Sequence, residues 1–194
     1  VSNGTTFATS TYAITLAGNL LVGGGTSGAL TTSTGTKTIG GTTTIASGAT
    51  MGTAATTYTL DMNGNLLASA GTLIAPQGAT FTYSGAIWVS PTTFTAGAGT
   101  VTFDLAGTTT LGNASTQFNA VTVNAGATLD TSAVSSFAFT TTNACTVSGT
   151  LTLNGSTVSC TGTGTAAGYS VQIASGGVFT GGSETHTMGS IYII

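Results

Sequence analysis

Short runs in which apolar and polar residues alternate recur along the whole chain. Residues 101–103 (Val-Thr-Phe), 121–123 (Val-Thr-Val) and 151–153 (Leu-Thr-Leu) are typical. Strict alternation predicts short β-strands that bury one face and leave the other polar. Thr makes up about a quarter of the chain, whereas the polar helix formers Lys, Arg, Glu and Gln are nearly missing. The pattern therefore predicts an all-β protein with no helix of useful length.

Two phrases recur between these strands, and each contains a glycine. Glycine adopts backbone angles that other residues resist, so each phrase is expected to turn a corner. The first phrase is an alternating strand, a glycine and a second strand, and it is centred on Gly18, Gly64, Gly107 and Gly149. The second is an apolar residue, two small or polar residues and a glycine, and it contains Gly48, Gly78, Gly126 and Gly176. One such unit cannot bury its apolar face alone, so the repeats predict a stacked solenoid.

The spacing of these eight glycines is irregular, from 14 to 30 residues. A parallel β-helix tolerates this, because the turns between its strands can lengthen without disturbing the stack. A β-sandwich of the strand-exchanging, pilin-like kind also fits the strand spacing. Because the same phrases recur, we predict a parallel β-helix of imperfect Gly/Thr-rich repeats that forms a single domain over residues 1–194.

Two longer phrases carry a resemblance to known proteins. Residues 118–129 (Phe-Asn-Ala-Val-Thr-Val-Asn-Ala-Gly-Ala-Thr-Leu) and 147–155 (Val-Ser-Gly-Thr-Leu-Thr-Leu-Asn-Gly) resemble repeats of large secreted bacterial and archaeal surface proteins with a right-handed parallel β-helix. The likeness is clearest over residues 99–160 and looser over 11–98. It implies an adhesin, sheath, stalk or filament component, and it brings no catalytic residues with it.

Charge is scarce, and this excludes several classes of function. Fully charged side chains make up 3% of the chain, against roughly 25% in ordinary soluble domains. One lysine and no arginine cannot neutralise a phosphate backbone, so nucleic-acid binding is excluded. No apolar run approaches the ~20 residues of a membrane-spanning helix. The charged residues are Lys37, Asp61, Asp104, Asp130 and Glu184, with His186 as a further titratable group.

A surface so poor in charge gives little repulsion between molecules, which favours self-assembly. The chain also ends in an apolar β-run, and we predict that this run contacts the next subunit. It consists of Ile191, Tyr192, Ile193 and Ile194. The chain begins at Val1 and not at Met, which we interpret as a mature, secreted product found outside the cell or at its surface. The prediction is a structural homopolymer (a filament, sheath or surface layer), with an adhesin or a phage-fibre-like carbohydrate-binding module as the alternative.

Two kinds of covalent modification are candidates. Cys145 and Cys160 could form a disulfide between neighbouring turns, or they could be two small thiols packed in the core. Sequons for N-linked sugar occur at Asn3, Asn113 and Asn154, and they support an exterior location, with glycans as candidate partners.

The sequence offers few residues that could carry out catalysis. Asp61 and Asp104 each stand three residues before a glycine of the first phrase. Because they are 43 residues apart, we expect about two turns between them, and we predict two outward carboxylates and no catalytic pair. Glu184 and His186 could share a strand face and bind a metal weakly, but exposed polar residues are the simpler interpretation. We therefore predict no enzyme activity, no cofactor and no metal site.

Two further patterns leave a choice of interpretation. Trp88 lies in the chain's richest aromatic segment and could bind a sugar or pack in a core. Thr-x-Thr triplets can form the flat arrays with which some β-solenoids bind ice, provided that they recur once per turn in register. The irregular gaps between triplets favour the simpler interpretation, in which Thr is merely the preferred outward residue of each strand.

Overall fold

The structure is a computed structural model that describes residues 1–54, 56–68, 70–112, 116–132, 138–141, 143–153, 155, 157–162 and 168–194, with the backbone alone for 138–140. These residues contain 26 strands of two to five residues and no helix. The first four turns of a coil hold β1 (Thr6–Ala8), β2 (Ile14–Leu16), β3 (Leu20–Val22), β4 (Gly28–Thr31), β5 (Thr36–Ile39), β6 (Thr43–Ile45), β7 (Ala49–Met51), β8 (Thr59–Met62), β9 (Leu66–Leu67), β10 (Thr72–Ile74), β11 (Thr80–Tyr83) and β12 (Ile87–Val89). The remaining turns hold β13 (Thr93–Thr95), β14 (Thr100–Phe103), β15 (Thr108–Gly112), β16 (Thr116–Phe118), β17 (Ala120–Val123), β18 (Thr128–Asp130), β19 (Ala138–Thr141), β20 (Cys145–Val147), β21 (Thr150–Thr152), β22 (Thr157–Cys160), β23 (Val171–Ile173), β24 (Val178–Thr180), β25 (Thr187–Met188) and β26 (Ile191–Ile193).

Each strand pairs with the strand three places further along the chain, always in parallel, wherever the structure describes a pair. Sheet A holds β1, β4, β7, β10 and β13, and sheet D continues that side with β16, β19, β22 and β25. Sheet B runs from β2 to β26 in nine strands, and sheet C runs from β3 to β24 in eight. The result is a β-solenoid of about eight three-stranded turns. The predicted parallel β-helix is confirmed, and the β-sandwich alternative is wrong.

The alternation seen in the sequence places apolar residues inside and threonines outside. In sheet B, for example, Leu60, Phe81 and Val101 form one column of inward neighbours in successive turns. The largest buried side chains meet in the middle of the coil around Trp88, whose ring centroid is 5.0 Å from that of Tyr83 and 5.6 Å from that of Phe94. Core packing, one of the two interpretations of Trp88, is confirmed.

A glycine occupies the corner between sheets B and C in every turn. These glycines recur every 19 to 28 residues, and they are Gly18, Gly41, Gly64, Gly85, Gly107, Gly126, Gly149 and Gly177. The glycine spacing taken from the sequence was more irregular because it included two glycines from other corners. Gly48 lies between β6 and β7, and Gly78 lies between β10 and β11. The repeat is thus more regular in space than along the chain.

The corner column leaves no room for a side chain in the second, third and fourth turns, at Gly41, Gly64 and Gly85. A Cβ atom built on Gly64 would lie 2.3 Å from the carbonyl carbon and oxygen of Gly41, whereas a Cβ on Gly18 would meet nothing within 4 Å. We expect Gly64→Ala to lower the free energy of unfolding by about 1–3 kcal/mol, since the neighbouring backbone must move. Urea denaturation measures this, with Gly18→Ala as the matched control. Equal effects of the two substitutions would contradict the stacked corner.

Candidate functional site: the two open ends of the coil

Exposed apolar side chains concentrate at the two ends of the solenoid. Eight of the ten large hydrophobic residues that are exposed lie in the first turn or on the last strands of sheets B and C. The eight are Phe7, Tyr12, Leu21, Val178, Ile191, Tyr192, Ile193 and Ile194. Leu21 and Leu67, however, point outward from sheet C in one shared column, so apolar surface lies on that side of the coil as well as at the ends.

At the last turn, β26 adds the ninth strand to sheet B and leaves its far edge unpaired in this structure. Ile191 and Ile193 are in register with Val171 and Ile173, so they continue two inward columns of the core. In this structure they are 50% and 70% exposed. The predicted contact residues therefore occupy core positions with strand neighbours on one side.

At the first turn, the same two inward columns begin with Ile14 and Leu16 on β2. Here the interior of the coil opens into a cavity of about 430 Å³, lined mainly by apolar side chains that include Phe7, Leu20 and Leu30. This opening was not predicted from the sequence, in which residues 12–16 match the inward phrases of later turns.

Lys37, the single cationic side chain, lies beside this cavity and points inward from β5. It is only 4% exposed, and its Nζ donates hydrogen bonds to the carbonyl oxygens of Tyr12 at 2.6 Å and Thr34 at 2.9 Å. Burial lowers the pKa of Lys37. The ammonium group thus ties together two loops that precede strands of sheet B in the first two turns.

Cys145 and Cys160 are both thiols, buried in neighbouring turns on β20 and β22. They share a side-chain hydrogen bond, and this contact together with burial raises the pKa of Cys145, whereas the same contact lowers that of Cys160. The sequence-based placement of the pair in adjacent turns agrees with this geometry. A disulfide between them stays a prediction.

Of the three sequons, only Asn3 lies within the described residues; Asn113 and Asn154 lie outside them. Asn3 is exposed, but its Oδ1 accepts hydrogen bonds from the backbone of Thr26 at 3.2 Å and of Ser27 at 2.9 Å. A sugar on this amide would have to coexist with the contact that holds the first two turns together. Glycosylation stays a prediction.

The acidic residues do not gather into one site among the described residues. Asp61 lies on β8 in the third turn, and Asp104 follows β14 in the fifth. The Ser84 hydroxyl, in the turn before, donates a hydrogen bond to the Asp104 carboxylate. Asp61 lies in a different column, the one that contains Thr82 and Thr102. The predicted separation of two turns is confirmed, although the two carboxylates do not share a column.

Glu184 and His186 lie between β24 and β25 and not on a strand, so the alternative of a shared strand face does not occur. Both are half-buried, and the imidazole packs edge-on to the ring of Phe179 at 6.2 Å. Within the described ranges there is no group of three or more metal-ligating side chains.

Trp88 is completely buried, so the alternative interpretation, in which its ring stacks on a sugar, is wrong. Its partners come from three successive turns and fill the inside of the coil. Of the aromatic segment, only Ile87 and Val89 reach the surface of sheet C.

No protein-family profile, curated protein or solved structure matches this chain. The described residues include no helix that could cross a lipid bilayer.

Proposed function

We propose that this protein is a non-catalytic structural component, secreted or held at the cell surface, whose copies stack end to end into a filament, sheath or surface layer. One observation carries the proposal: both open ends of the coil expose apolar core positions, and these positions lie in the same two columns of sheet B. Stacking the last turn of one copy on the first turn of the next puts Ile191 over Ile14 and Ile193 over Leu16. Both pairs would then be buried in the junction between the two copies.

The strand edges support the same arrangement. An unpaired edge presents free backbone donors and acceptors, and pairing with another strand satisfies them. Contact between two different ends of identical molecules does not close on itself, so it generates a fibre. The low charge of the chain adds little repulsion along such a fibre. The carbohydrate-binding alternative loses the aromatic residue on which it rested, because Trp88 is buried.

The test is the assembly state of the purified chain. We expect concentration-dependent fibres in sedimentation velocity and electron microscopy. Since sheet B contributes nine strands per copy and parallel strands lie about 4.8 Å apart, we expect an axial repeat of about 43 Å. Ile193→Asp should block assembly, because it places a charge in the buried junction.

Ile87→Asp is the matched control, since Ile87 is 44% exposed on the side of the coil and away from both ends. It should assemble like the wild type, and circular dichroism should show intact β-structure in both variants. A chain that stays monomeric at high concentration would overturn the proposal, as would ends that are covered by further turns of a longer natural chain. Loss of assembly in the Ile87→Asp control would also contradict it.

A further inference from the structure

The outward side of sheet B carries threonine in two adjacent columns, which we call the threonine face. The first column contains Thr36, Thr59, Thr80 and Thr100 in the second to fifth turns, and Ala120 follows in the sixth. The second contains Thr15, Thr38, Asp61, Thr82, Thr102, Thr122 and Thr146. The irregular spacing of Thr-x-Thr triplets along the chain does not prevent register, because strand pairing aligns these columns. Both columns carry threonine together in the second, fourth and fifth turns, at residues 36–38, 80–82 and 100–102.

The sheet fixes the spacing of this face in two directions. Neighbouring threonines within a column are one strand spacing apart, about 4.8 Å, and the two columns are two residues apart along the strand, about 6.6 Å. Threonine is branched at Cβ and has few χ1 rotamers, so its hydroxyl and methyl groups repeat with the backbone. The face is therefore a preorganised two-dimensional array of hydroxyl groups.

The chemistry of the face is uniform and nearly uncharged. Each hydroxyl both donates and accepts hydrogen bonds, and each methyl is apolar. From the first to the seventh turn the only ionised side chain in the two columns is Asp61, and no aromatic ring occurs before Tyr192 in the last turn. A ligand for this face must itself be periodic, uncharged and able to donate and accept hydrogen bonds everywhere.

We propose that the threonine face binds the surface of ice. An ice surface is an uncharged lattice of water molecules that all donate and accept hydrogen bonds. Water that bridges threonine hydroxyls costs little entropy to hold when the hydroxyls are already fixed. Each contact is weak, but the contacts form together on one rigid body, so their effects combine. A crystalline polysaccharide is the less suitable ligand, because the threonine columns of the first seven turns offer no aromatic ring for sugars to stack on.

The outward side of sheet C provides the contrast. There Thr44 stands between Leu21 and Leu67 in register, so its column alternates with apolar residues over the first three turns. Thr44 is half-buried and outward, like Thr102. The two residues therefore allow the same substitution inside and outside the threonine face.

The experiment measures thermal hysteresis and inhibition of ice recrystallisation by the purified chain. We expect the wild type to be active and Thr102→Tyr to lose the activity, because a bulky ring in the middle of the array prevents close approach. Asp61→Thr should increase the activity, since it joins Thr38 to Thr82 and removes the carboxylate. A gain of this kind cannot result from damage to the fold.

Thr44→Tyr is the matched control and should keep wild-type activity, with unchanged circular dichroism for all variants. The proposal does not depend on end-to-end assembly, so Ile193→Asp should retain activity even as a monomer. Failure of the wild type to affect ice would overturn the proposal, whether or not the chain binds cellulose or chitin. Equal losses in Thr102→Tyr and Thr44→Tyr would also overturn it.

Discussion

Replacement of Trp88 by alanine is expected to lower the free energy of unfolding by about 3–5 kcal/mol, the usual cost of removing a buried aromatic side chain. The indole is fully buried and has ring contacts with residues of three successive turns, including Phe81 at 5.7 Å and Phe118 at 5.8 Å between centroids. Its removal leaves a cavity that neighbours on closely hydrogen-bonded turns cannot fill. A solenoid depends on contacts between adjacent turns, so a cavity here weakens the fourth, fifth and sixth turns together.

Urea denaturation followed by circular dichroism measures this loss, since Trp88 is the single tryptophan and its fluorescence disappears with it. Tyr12→Ala is the control for removing a large aromatic ring, because Tyr12 is 74% exposed, and it should change stability little. Trp88→Phe should cost less than Trp88→Ala. The indole Nε1 donor is buried without a hydrogen-bond partner, so phenylalanine keeps part of the packing and removes an unsatisfied polar group. Equal stability of Trp88→Ala and Tyr12→Ala would contradict the central role of this ring.

The fold could be predicted because the alternation of apolar and polar residues within each strand determines which side chains point inward. In residues 101–103, Thr102 points out and Val101 and Phe103 point in, as the alternation requires. The glycines at the corners were also visible, but their correct assignment was not. Gly48 and Gly126 occur in the same phrase but lie at different corners of the coil. The local sequence indicates that the chain turns, but it does not indicate which sheet the next strand joins.

Register between turns could not be predicted in the same way. The number of residues per turn varies, so the distance between two Thr-x-Thr triplets along the chain does not reveal whether they are neighbours in space. Thr82 and Thr102 are 20 residues apart along the chain and adjacent in space. Thr122 and Thr146 are also adjacent in space, although they are 24 residues apart along the chain. Backbone hydrogen bonding between successive turns decides the matter, because a slip of one residue would turn the apolar side chains outward.

The open ends combine predictable and unpredictable features. The apolar run at residues 191–194 was visible in the sequence, and its exposure agrees with the contact predicted there. The cavity in the first turn was not predicted, because no unusual residue in the sequence marks it. Lys37 departs from the alternation altogether, since it occupies an inward position between Ile14 and Leu60. Only the loop carbonyl groups around its Nζ explain how a cation is accommodated there.

High pH is expected to destabilise the protein through two buried tyrosines. Tyr58 and Tyr83 are 1% and 0% exposed, and burial raises the pKa of Tyr58 to about 12 and that of Tyr83 further. The Tyr58 hydroxyl donates to the carbonyl of Ile74 at 2.6 Å, and the Tyr83 hydroxyl accepts from the amide of Leu66 at 3.0 Å. Both phenols are therefore held neutral inside the coil.

The sign follows from proton binding in the two states. An unfolded tyrosine loses its proton near pH 10, whereas the folded one keeps it to higher pH, so the stabilisation is complete below about pH 10 and is lost as the pH rises through the folded pKa. Two pKa units correspond to about 2–3 kcal/mol for Tyr58, and Tyr83 adds to this. Lys37 acts in the opposite direction at lower pH, because its pKa is lowered from 10.5 and its deprotonation favours the folded state. The steep loss of stability should therefore begin only above about pH 10.

Urea denaturation between about pH 9 and pH 12 gives the slope of stability against pH. Tyr58→Phe and Tyr83→Phe should each flatten the slope, while costing some stability at neutral pH through the lost hydroxyl contact. Tyr12→Phe removes a hydroxyl from an exposed ring and should leave the slope as in the wild type. If all three variants lost stability with pH as steeply as the wild type, the alkaline transition would have to originate outside these two rings.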